Sequence, residues 1–361
     1  MVKDSLLAEL HRTNGADFRE EGGWSLPLHF GESLQEYDAV RSQVGLLDLC
    51  HRSLLRFTGP DRLSYLQGMV SNDVNGLDLG EGTYAAVLDI HGRILADIRL
   101  FCTEDCFLLD FWEPLKEKIV AHLHCYLIAD EVEVTDLTEQ FRTVSLQGPK
   151  SRNLLEWLLG NDRLPSKELS HAEFQTGDGS FRVIRATHTG EEGFDLMIGI
   201  KDLLPVVSRL QETGKSFSYR WVGSQAQELL RVEAGIPRYG VDIDEDNLLL
   251  ETGLDHAVSF QKGCYLGQEV VERIHSRGHI NKRLVGMVLE GDAAAQRGDT
   301  INGEQKQIGK VTSSILSPVL KCPLALGYVH RDYTSPETRV TIQSKGKTIP
   351  AVVTRLPFYK P

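Results

Sequence analysis

The sequence predicts an α+β protein of several domains that ends in a small β-barrel. Strand-like runs dominate the part after residue 50, and the stretch from about residue 141 to about residue 218 mixes strands with helices. From about residue 283 onward, short strands alternate with glycine turns, a pattern typical of a small barrel. The length of 361 residues allows two or three such domains.

The region after residue 50 has the pattern of a hairpin-rich sheet. Apolar, β-branched runs bounded by Gly, Pro and Asp predict strands at Ser53–Gly59, Gly82–Ile90 and Arg93–Phe101. A short loop at Thr103–Asp105 predicts that the third strand turns back as a hairpin. Between the strands, Asp61–Asp73 has helical spacing, and Asp61 is expected to cap its start.

Composition excludes several classes of function. The net charge of −12 argues against general nucleic-acid binding. Six cysteines without a CxxC pair predict reduced thiols, and no apolar run is long enough to cross a membrane, so we expect a cytoplasmic protein. The acidic stretch Asp242–Asn247 lacks the glycine of a calcium loop, and His122–Cys125 fits a helix better than a metal site. No metal is therefore expected.

The segment Lys262–Glu269 is the most distinctive of the chain. Two glycines flank Cys264, which predicts a tight turn into a helix at Gln268–Arg273. The start of that helix and the nearby Lys262 would both stabilise a thiolate, so Cys264 is a candidate nucleophile or metal ligand. A buried cysteine that only fills space is the alternative.

A local excess of positive charge follows this cysteine. Lys262 to Arg283 contains five Lys or Arg and two Glu residues, in a chain that is acidic overall. Such a reversal suits an anionic ligand tail, although a solvated linker into the last domain would have the same composition.

Asp97 is the candidate acid–base residue, because it lies within an apolar strand where an unpartnered carboxylate would be costly. It is a candidate for orienting or deprotonating a ligand amine, and a structural salt bridge is the alternative. A second candidate region is the helix Val222–Ala234, which carries Arg231 and stops at Gly235–Pro237. Tyr239 follows that stop, where it can line a pocket or belong to a simple turn.

Motifs spread along nearly the whole chain resemble landmarks of the glycine-cleavage T-protein superfamily. These motifs are Gly23–Pro27, Val44–Asp48, Thr58–Asp61, Val70–Val74, Ser145–Pro149, His188–Phe194, Arg231–Gly235, Gly309–Ser313 and Leu356–Tyr359. The resemblance implies a ring-like fold around a folate pocket. It implies a folate-binding body at 1–140 and 219–282, a ferredoxin-like subdomain at 141–218 and a barrel at 283–361.

The resemblance also assigns site residues. Asp97 matches one of the two adjacent aspartates that T-proteins show near the pocket, and Ala96 stands in place of the other. Asp195 stands where the family has a pteridine-binding glutamate. Arg231 and Tyr239 match pocket-lining positions, and Tyr84 and Asn72 complete the set expected to bind tetrahydrofolate.

Two functions follow from the resemblance. Lys262–Glu269 is similar to the YgfZ-type branch, in which the cysteine matters and the protein sustains iron–sulfur enzymes, so the first expectation is a tetrahydrofolate-binding protein of iron–sulfur cluster assembly or repair. Its partners would be assembly or client proteins. The alternative is an aminomethyltransferase that takes a one-carbon unit from a lipoyl carrier protein.

Overall fold

The computed structural model of the chain describes residues 2–160, 163–278, 280–304 and 306–361. Within this part of the chain the strands form three open sheets and one closed barrel. The fold is therefore α+β with a C-terminal barrel, as the sequence predicts.

A small sheet at the amino terminus has the strand order β1-β3-β2. Its strands are β1 (Lys3–Asp4), β2 (Asp17–Glu21) and β3 (Trp24–His29). The helices α1 (Ala8–Thr13) and α2 (Ser33–Ser42) belong to the same region.

A five-stranded sheet forms the centre of the body and has the order β6-β7-β8-β5-β9. Its strands are β5 (Arg52–Thr58), β6 (Gly82–Leu88), β7 (Ile94–Cys102), β8 (Phe107–Trp112) and β9 (Glu133–Asp136), and all neighbours are antiparallel. The helices α3 (Arg62–Met69) and α4 (Lys116–Tyr126) pack their apolar sides against one face of this sheet, the face that carries Ile98, Leu100 and Leu109. The predicted hairpin at Thr103–Asp105 is the turn between β7 and β8.

A six-stranded sheet lies beside it in the order β11-β12-β13-β10-β4-β14. Its strands are β4 (Gly45–Asp48), β10 (Phe141–Gln147), β11 (His171–Thr176), β12 (Gly179–Arg185), β13 (Gly193–Gly199) and β14 (Arg220–Trp221). The helices α5 (Ser151–Leu159) and α6 (Ile200–Gly214) cover one face. Since β4 and β14 come from outside 141–218, a separate domain with those bounds stays a prediction.

The two large sheets pack on each other through a shared apolar layer. Leu54, Phe101 and Leu108 of the five-stranded sheet meet Ile184 and Met197 of the six-stranded sheet in one buried cluster. This layer fixes the faces of the two sheets that point toward each other, and the polar side chains described below lie on those same faces.

The remaining elements are two helices and the barrel. The helices are α7 (Ser224–Glu233) and α8 (Gln268–Arg277). The barrel closes in the order β15-β18-β17-β16-β19-β20, with strands β15 (Lys282–Leu289), β16 (Thr300–Asn302), β17 (Gln307–Leu316), β18 (Pro323–His330), β19 (Arg339–Ser344) and β20 (Lys347–Thr354). Among the described residues, no helix combines the length and the apolar character needed to cross a membrane.

One local expectation is corrected. Asp61 precedes α3 as predicted, but its side chain accepts no hydrogen bond from that helix. Its Oδ2 instead accepts from the backbone N–H of Glu131 at 2.8 Å. Asp61 therefore connects its own loop to the loop of Glu131. The helix α3 ends at Met69 and not at the predicted Asp73, because Val70 takes an extended conformation.

His171 gives the fold a dependence on pH. Its buried ring meets Phe101 edge-on at 5.5 Å, and its Nδ1 accepts from Nη1 of Arg182 at 2.9 Å. Burial, and then the charge of Arg182, lower the pKa of His171 from 6.5 to about 4. The unfolded chain therefore binds this proton at a higher pH than the folded chain does, so stability is present above pH 6.5 and is lost as the pH falls toward 4. We expect the free energy of unfolding in urea to decrease by about 2–3 kcal/mol between roughly pH 7 and pH 4.5 through this residue.

The variant His171→Phe should lose this part of the pH dependence. The matched control is His91→Phe in the β6–β7 turn, where the side chain is exposed, and it should keep the wild-type decrease. An equal decrease in the wild type and in His171→Phe would contradict the prediction.

Candidate active site

The face of the five-stranded sheet that points toward the six-stranded sheet carries a row of polar residues. Tyr84 of β6 lies opposite Arg99 of β7, and Arg99 lies opposite Asp110 of β8. Because successive side chains of a strand alternate between faces, Asp97 shares the face of Arg99. The register therefore brings these four side chains to one side of the sheet.

Asp97 and Tyr84 form a hydrogen-bonded pair on this face. The hydroxyl of Tyr84 donates to Oδ2 of half-buried Asp97 at 2.7 Å. Burial, and then the charge of Asp97, raise the pKa of Tyr84 well above its ordinary value, so the tyrosine keeps its proton and acts as the donor. The carboxylate of Asp97 is thereby held in one orientation, with its second oxygen unoccupied by any partner in the described part of the chain.

Asn72 lies behind this pair and supports it. Its amide nitrogen, with two N–H donors, lies 2.9 Å from Oγ1 of Thr83, from the carbonyl oxygen of Tyr84 and from that of His256. The ring of His256 in turn packs on the ring of Tyr84, with their centroids 5.2 Å apart. The structure thus places the predicted residue Asn72 where it fixes Tyr84 through the backbone.

A buried chain of alternating charges lies next to Asp97. The Nε of Arg52 donates to both oxygens of Asp110, at 2.7 and 2.9 Å, and the Nε of Arg99 donates to Oδ2 of Asp110 at 2.6 Å. The Nη1 of Arg99 donates to Oδ2 of Asp195 at 2.5 Å. The Nε2 of His188 lies 3.0 and 3.1 Å from the two oxygens of Asp195. The chain joins β5, β7 and β8 of one sheet to β13 of the other.

Asp195 was expected to contact a pteridine ring, but in the structure its partners are protein side chains. Its side chain has no exposed surface, and both of its oxygens are engaged by Arg99 and His188. Burial disfavours its charge, but His188 and Arg99 outweigh burial and hold the pKa of Asp195 well below its ordinary range. As the structure stands, Asp195 anchors Arg99 and has no oxygen available for a ligand.

Tyr239 lies at the other end of β7. Its hydroxyl donates to the carbonyl oxygen of Ile94 at 3.1 Å, and its ring lies 6.3 Å from the ring of Trp112. Ile94 is the first residue of β7, three positions before Asp97. Tyr239 is therefore a buried residue beside the strand that carries Asp97, and its role in lining a pocket stays a prediction.

Arg231 belongs to the junction between the body and the barrel. Its Nη1 donates to Asp242 at 2.5 Å, and its Nη2 donates to Ser313 of β17 at 2.6 Å. Its remaining contacts are to Glu228 and to the carbonyl oxygen of Ile236. The structure gives this predicted residue protein partners in place of a ligand.

Cys264 lies in an exposed loop before α8. The helix N-terminus and Lys262 were expected to stabilise its thiolate, but neither is directed at the sulfur. The helix begins only at Gln268, and the ammonium of Lys262 donates to the carbonyl oxygens of Val70 at 2.7 Å and Asn72 at 2.6 Å. In the described part of the chain, no group of three His, Cys, Asp or Glu side chains is arranged to hold a metal ion. The role of Cys264 as a site residue stays a prediction.

The basic segment around α8 is partly neutralised. Arg283 pairs with Asp255 at 2.8 Å, and Lys282 lies 3.7 Å from Glu251. His279, which belongs to the same segment, lies outside the described residues. The segment is therefore not free to bind an anion along its whole length.

Four residues of this site were missed by the sequence analysis, namely Arg52, Arg99, Asp110 and His188. The signal that singled out Asp97 was also present for two of them, because Arg99 and Asp110 are charged residues within the apolar runs of β7 and β8. Pairing those two strands in the predicted hairpin would have placed the two charges opposite each other.

The chain is similar to known proteins along its whole length. Residues 7–262 match the GCVT N-terminal domain family, and residues 282–360 match the glycine cleavage T-protein C-terminal barrel domain. An aminomethyltransferase of Rubrobacter xylanophilus is 32% identical over 98% of this chain and 93% of its own length. One from Halothermothrix orenii is 31% identical over 99% of this chain and its full length.

A solved structure agrees with these relatives. The crystal structure of the glycine cleavage system aminomethyltransferase T from Bartonella henselae superposes with a TM-score of 0.90 at 27% identity, covering 100% of this chain and 99% of the other. Full-length similarity to proteins named aminomethyltransferase outweighs the eight-residue segment around Cys264, so the expectation of iron–sulfur cluster assembly or repair is wrong. The chain belongs to the glycine cleavage T-protein family.

Proposed function

We propose that this protein is an aminomethyltransferase, which transfers a one-carbon unit from an aminomethyl group on a lipoyl carrier protein to tetrahydrofolate. The observation that carries the proposal is the Tyr84–Asp97 pair, a carboxylate held by a 2.7 Å hydrogen bond on the polar face of the central sheet. Aminomethyltransferases use tetrahydrofolate as the one-carbon acceptor, and the lipoyl carrier is their expected partner. Membership of the YgfZ-type branch stays a prediction.

The residues around Asp97 suit a reduced folate. Tyr84 lies beside the carboxylate and holds it by a hydrogen bond, and Asp97 has one oxygen available to accept from a ring N–H. Asp195 fits the predicted contact with the pteridine edge less well, because a ligand would have to displace Arg99 or His188. We propose that Asp195 holds the side chain of Arg99 in place and does not itself contact the ligand.

The transfer is balanced without a redox step. The N5 of tetrahydrofolate attacks the methylene carbon, a C–N bond forms, and the bond to the amino group breaks as ammonia leaves. Closure of the methylene bridge onto N10 then releases the lipoyl thiol. Asp97 is placed to accept the proton that the attacking nitrogen gives up, and holding the two reactants together contributes most of the acceleration. Cys264 takes no part in this sequence.

The test is turnover by the purified protein with tetrahydrofolate and an aminomethylated lipoyl carrier. We expect methylenetetrahydrofolate and ammonia to appear in equal amounts, at a rate comparable with that of an established T-protein assayed in parallel. The proposal fails if the established T-protein turns over and this protein forms no methylenetetrahydrofolate.

A further inference from the structure

Arg52 lies at the edge of the proposed site, and only one of its three guanidinium nitrogens is hydrogen-bonded to the described part of the protein. Its Nε is bound by both oxygens of Asp110, at 2.7 and 2.9 Å, so the plane of the guanidinium is set by the protein. Its Nη1 and Nη2 have no hydrogen-bond partner among the described residues, and the side chain keeps 20% of its surface exposed. The protein thus holds one edge of the guanidinium and leaves the other edge free.

The register of the sheet brings this free edge near Asp97. Arg52 of β5 is the direct partner of Trp112 on β8, and Asp97 precedes Ile98, the partner of Phe111. Continuing that register puts Asp97 and Arg52 on either side of Trp112, so their backbones are about 10 Å apart across two strand spacings. A ligand at Asp97 therefore has Arg52 within reach of a neighbouring substituent.

The electrostatics of Tyr84 support the same placement. Its hydroxyl, which donates to Asp97, is close enough to Arg52 and Arg99 for both cations to oppose the increase of its pKa that burial and Asp97 cause. Each nitrogen of Arg99 already contacts Asp110 or Asp195. Arg52 is the cation of this pair with two nitrogens that have no partner among the described residues.

A carboxylate is the group that matches such an edge. The planar guanidinium offers two parallel N–H groups, which bind a carboxylate through two charge-assisted hydrogen bonds. We propose that Arg52 binds a carboxylate of the ligand that is held at Asp97. This inference rests on the proposed function for the identity of that ligand. The carboxylate comes either from the glutamate tail of the folate or from a free amino acid that binds beside Asp97, since the aminomethyl-lipoyl donor carries none.

Binding measurements on the full-length protein separate the two sources. Tetrahydrofolate, 6-methyltetrahydropterin, which has no tail, and N-methylglycine are titrated into the wild type, Arg52→Gln and Arg52→Lys. The control is Arg56→Gln, which removes an arginine of the same strand four residues further along, on the side of Asp105. Thermal unfolding of each variant verifies that it is folded, and Arg52→Lys keeps the charge if glutamine disturbs Asp110.

We expect Arg52→Gln to weaken tetrahydrofolate binding by about 10–100-fold, the usual effect of losing a charge-assisted pair, and to leave the tailless pterin unaffected. Arg52→Lys should lose part of that affinity, and Arg56→Gln none. If only N-methylglycine depends on Arg52, the carboxylate belongs to a free amino acid and not to the folate tail. Unchanged binding of all three compounds by folded Arg52 variants would overturn the inference. Turnover in the wild type tests the proposed function independently of Arg52. If the wild type turns over but the Arg52 variants bind all three compounds as the wild type does, only this inference is wrong.

Discussion

Replacing Asp97 with asparagine is expected to lower the turnover number by about 10²–10⁴-fold, the usual contribution of a positioned general base. Asparagine is close to isosteric with aspartate and can still accept the hydrogen bond from Tyr84, but it cannot take up a proton. Binding of tetrahydrofolate should therefore change much less than turnover. The measurement is steady-state formation of methylenetetrahydrofolate, with the KM for tetrahydrofolate determined in the same series.

The control for this prediction is Asp105→Asn. Asp105 lies in the turn between β7 and β8, on the hairpin that carries Asp97, but its side chain is exposed. Its variant should keep wild-type turnover. If Asp97→Asn also keeps full turnover, Asp97 is not the base, and the proposed proton transfer is wrong.

Replacing Arg99 with methionine is expected to lower the free energy of unfolding by about 3–5 kcal/mol, because one partner of a buried ion pair is removed and the other is left without compensation. Here two carboxylates, Asp110 and Asp195, lose a shared cation, and both are almost completely buried. Arg52 would remain beside Asp110, and His188 would remain beside Asp195. Urea denaturation at neutral pH measures the effect.

Arg93→Met is the matched control for Arg99→Met. Arg93 lies directly before β7 and its closest ion pair, to Asp246 at 3.8 Å, is exposed. Exposed pairs of this kind contribute about 0–1 kcal/mol, so this variant should unfold close to the wild type. Similar unfolding free energies for the two variants would mean that the buried charge chain does not hold the sheets together.

Much of the fold could be predicted from local patterns. The apolar runs that became β5, β6 and β7 and the short loop at Thr103–Asp105 were recognisable because strand period and turn composition are local properties. The pairing of β10 with β4 was not predictable in this way, since the two strands lie about a hundred residues apart and either could have paired elsewhere. The extra strands β4 and β14 extend the second sheet beyond its predicted limits for that reason.

The candidate site was predictable in part. Asp97 could be identified because a carboxylate in an apolar strand needs a partner, and the structure supplies Tyr84 thirteen residues away. The partners of Asp195 and Arg231 could not be identified, because Arg99 is 96 residues from Asp195 and Ser313 is 82 residues from Arg231. Whether such a residue faces a ligand or another side chain depends on contacts that only the folded chain brings together.

The segment around Cys264 contains a glycine that the fold itself requires. Gly267, one of the glycines that frame the cysteine, has a φ of +81°, and a Cβ there would lie 2.5 Å from the carbonyl oxygen of Asp89. The glycine is required by the close approach of this loop to the β6–β7 turn and by its place before α8. The backbone alone therefore accounts for Gly267, one of the two glycines that make this segment distinctive.

The chain of alternating charges also constrains how such a protein changes over generations. Each residue of the chain pairs with the next, in the order Arg52, Asp110, Arg99 and Asp195. A substitution at one position therefore leaves a buried charge without compensation, which destabilises the fold. We therefore expect substitutions at these positions to occur in sets, with an acid and a base exchanged for apolar residues together. Covariation among these positions in related sequences would therefore trace the contact between the two sheets, even where the identity of each residue is lost.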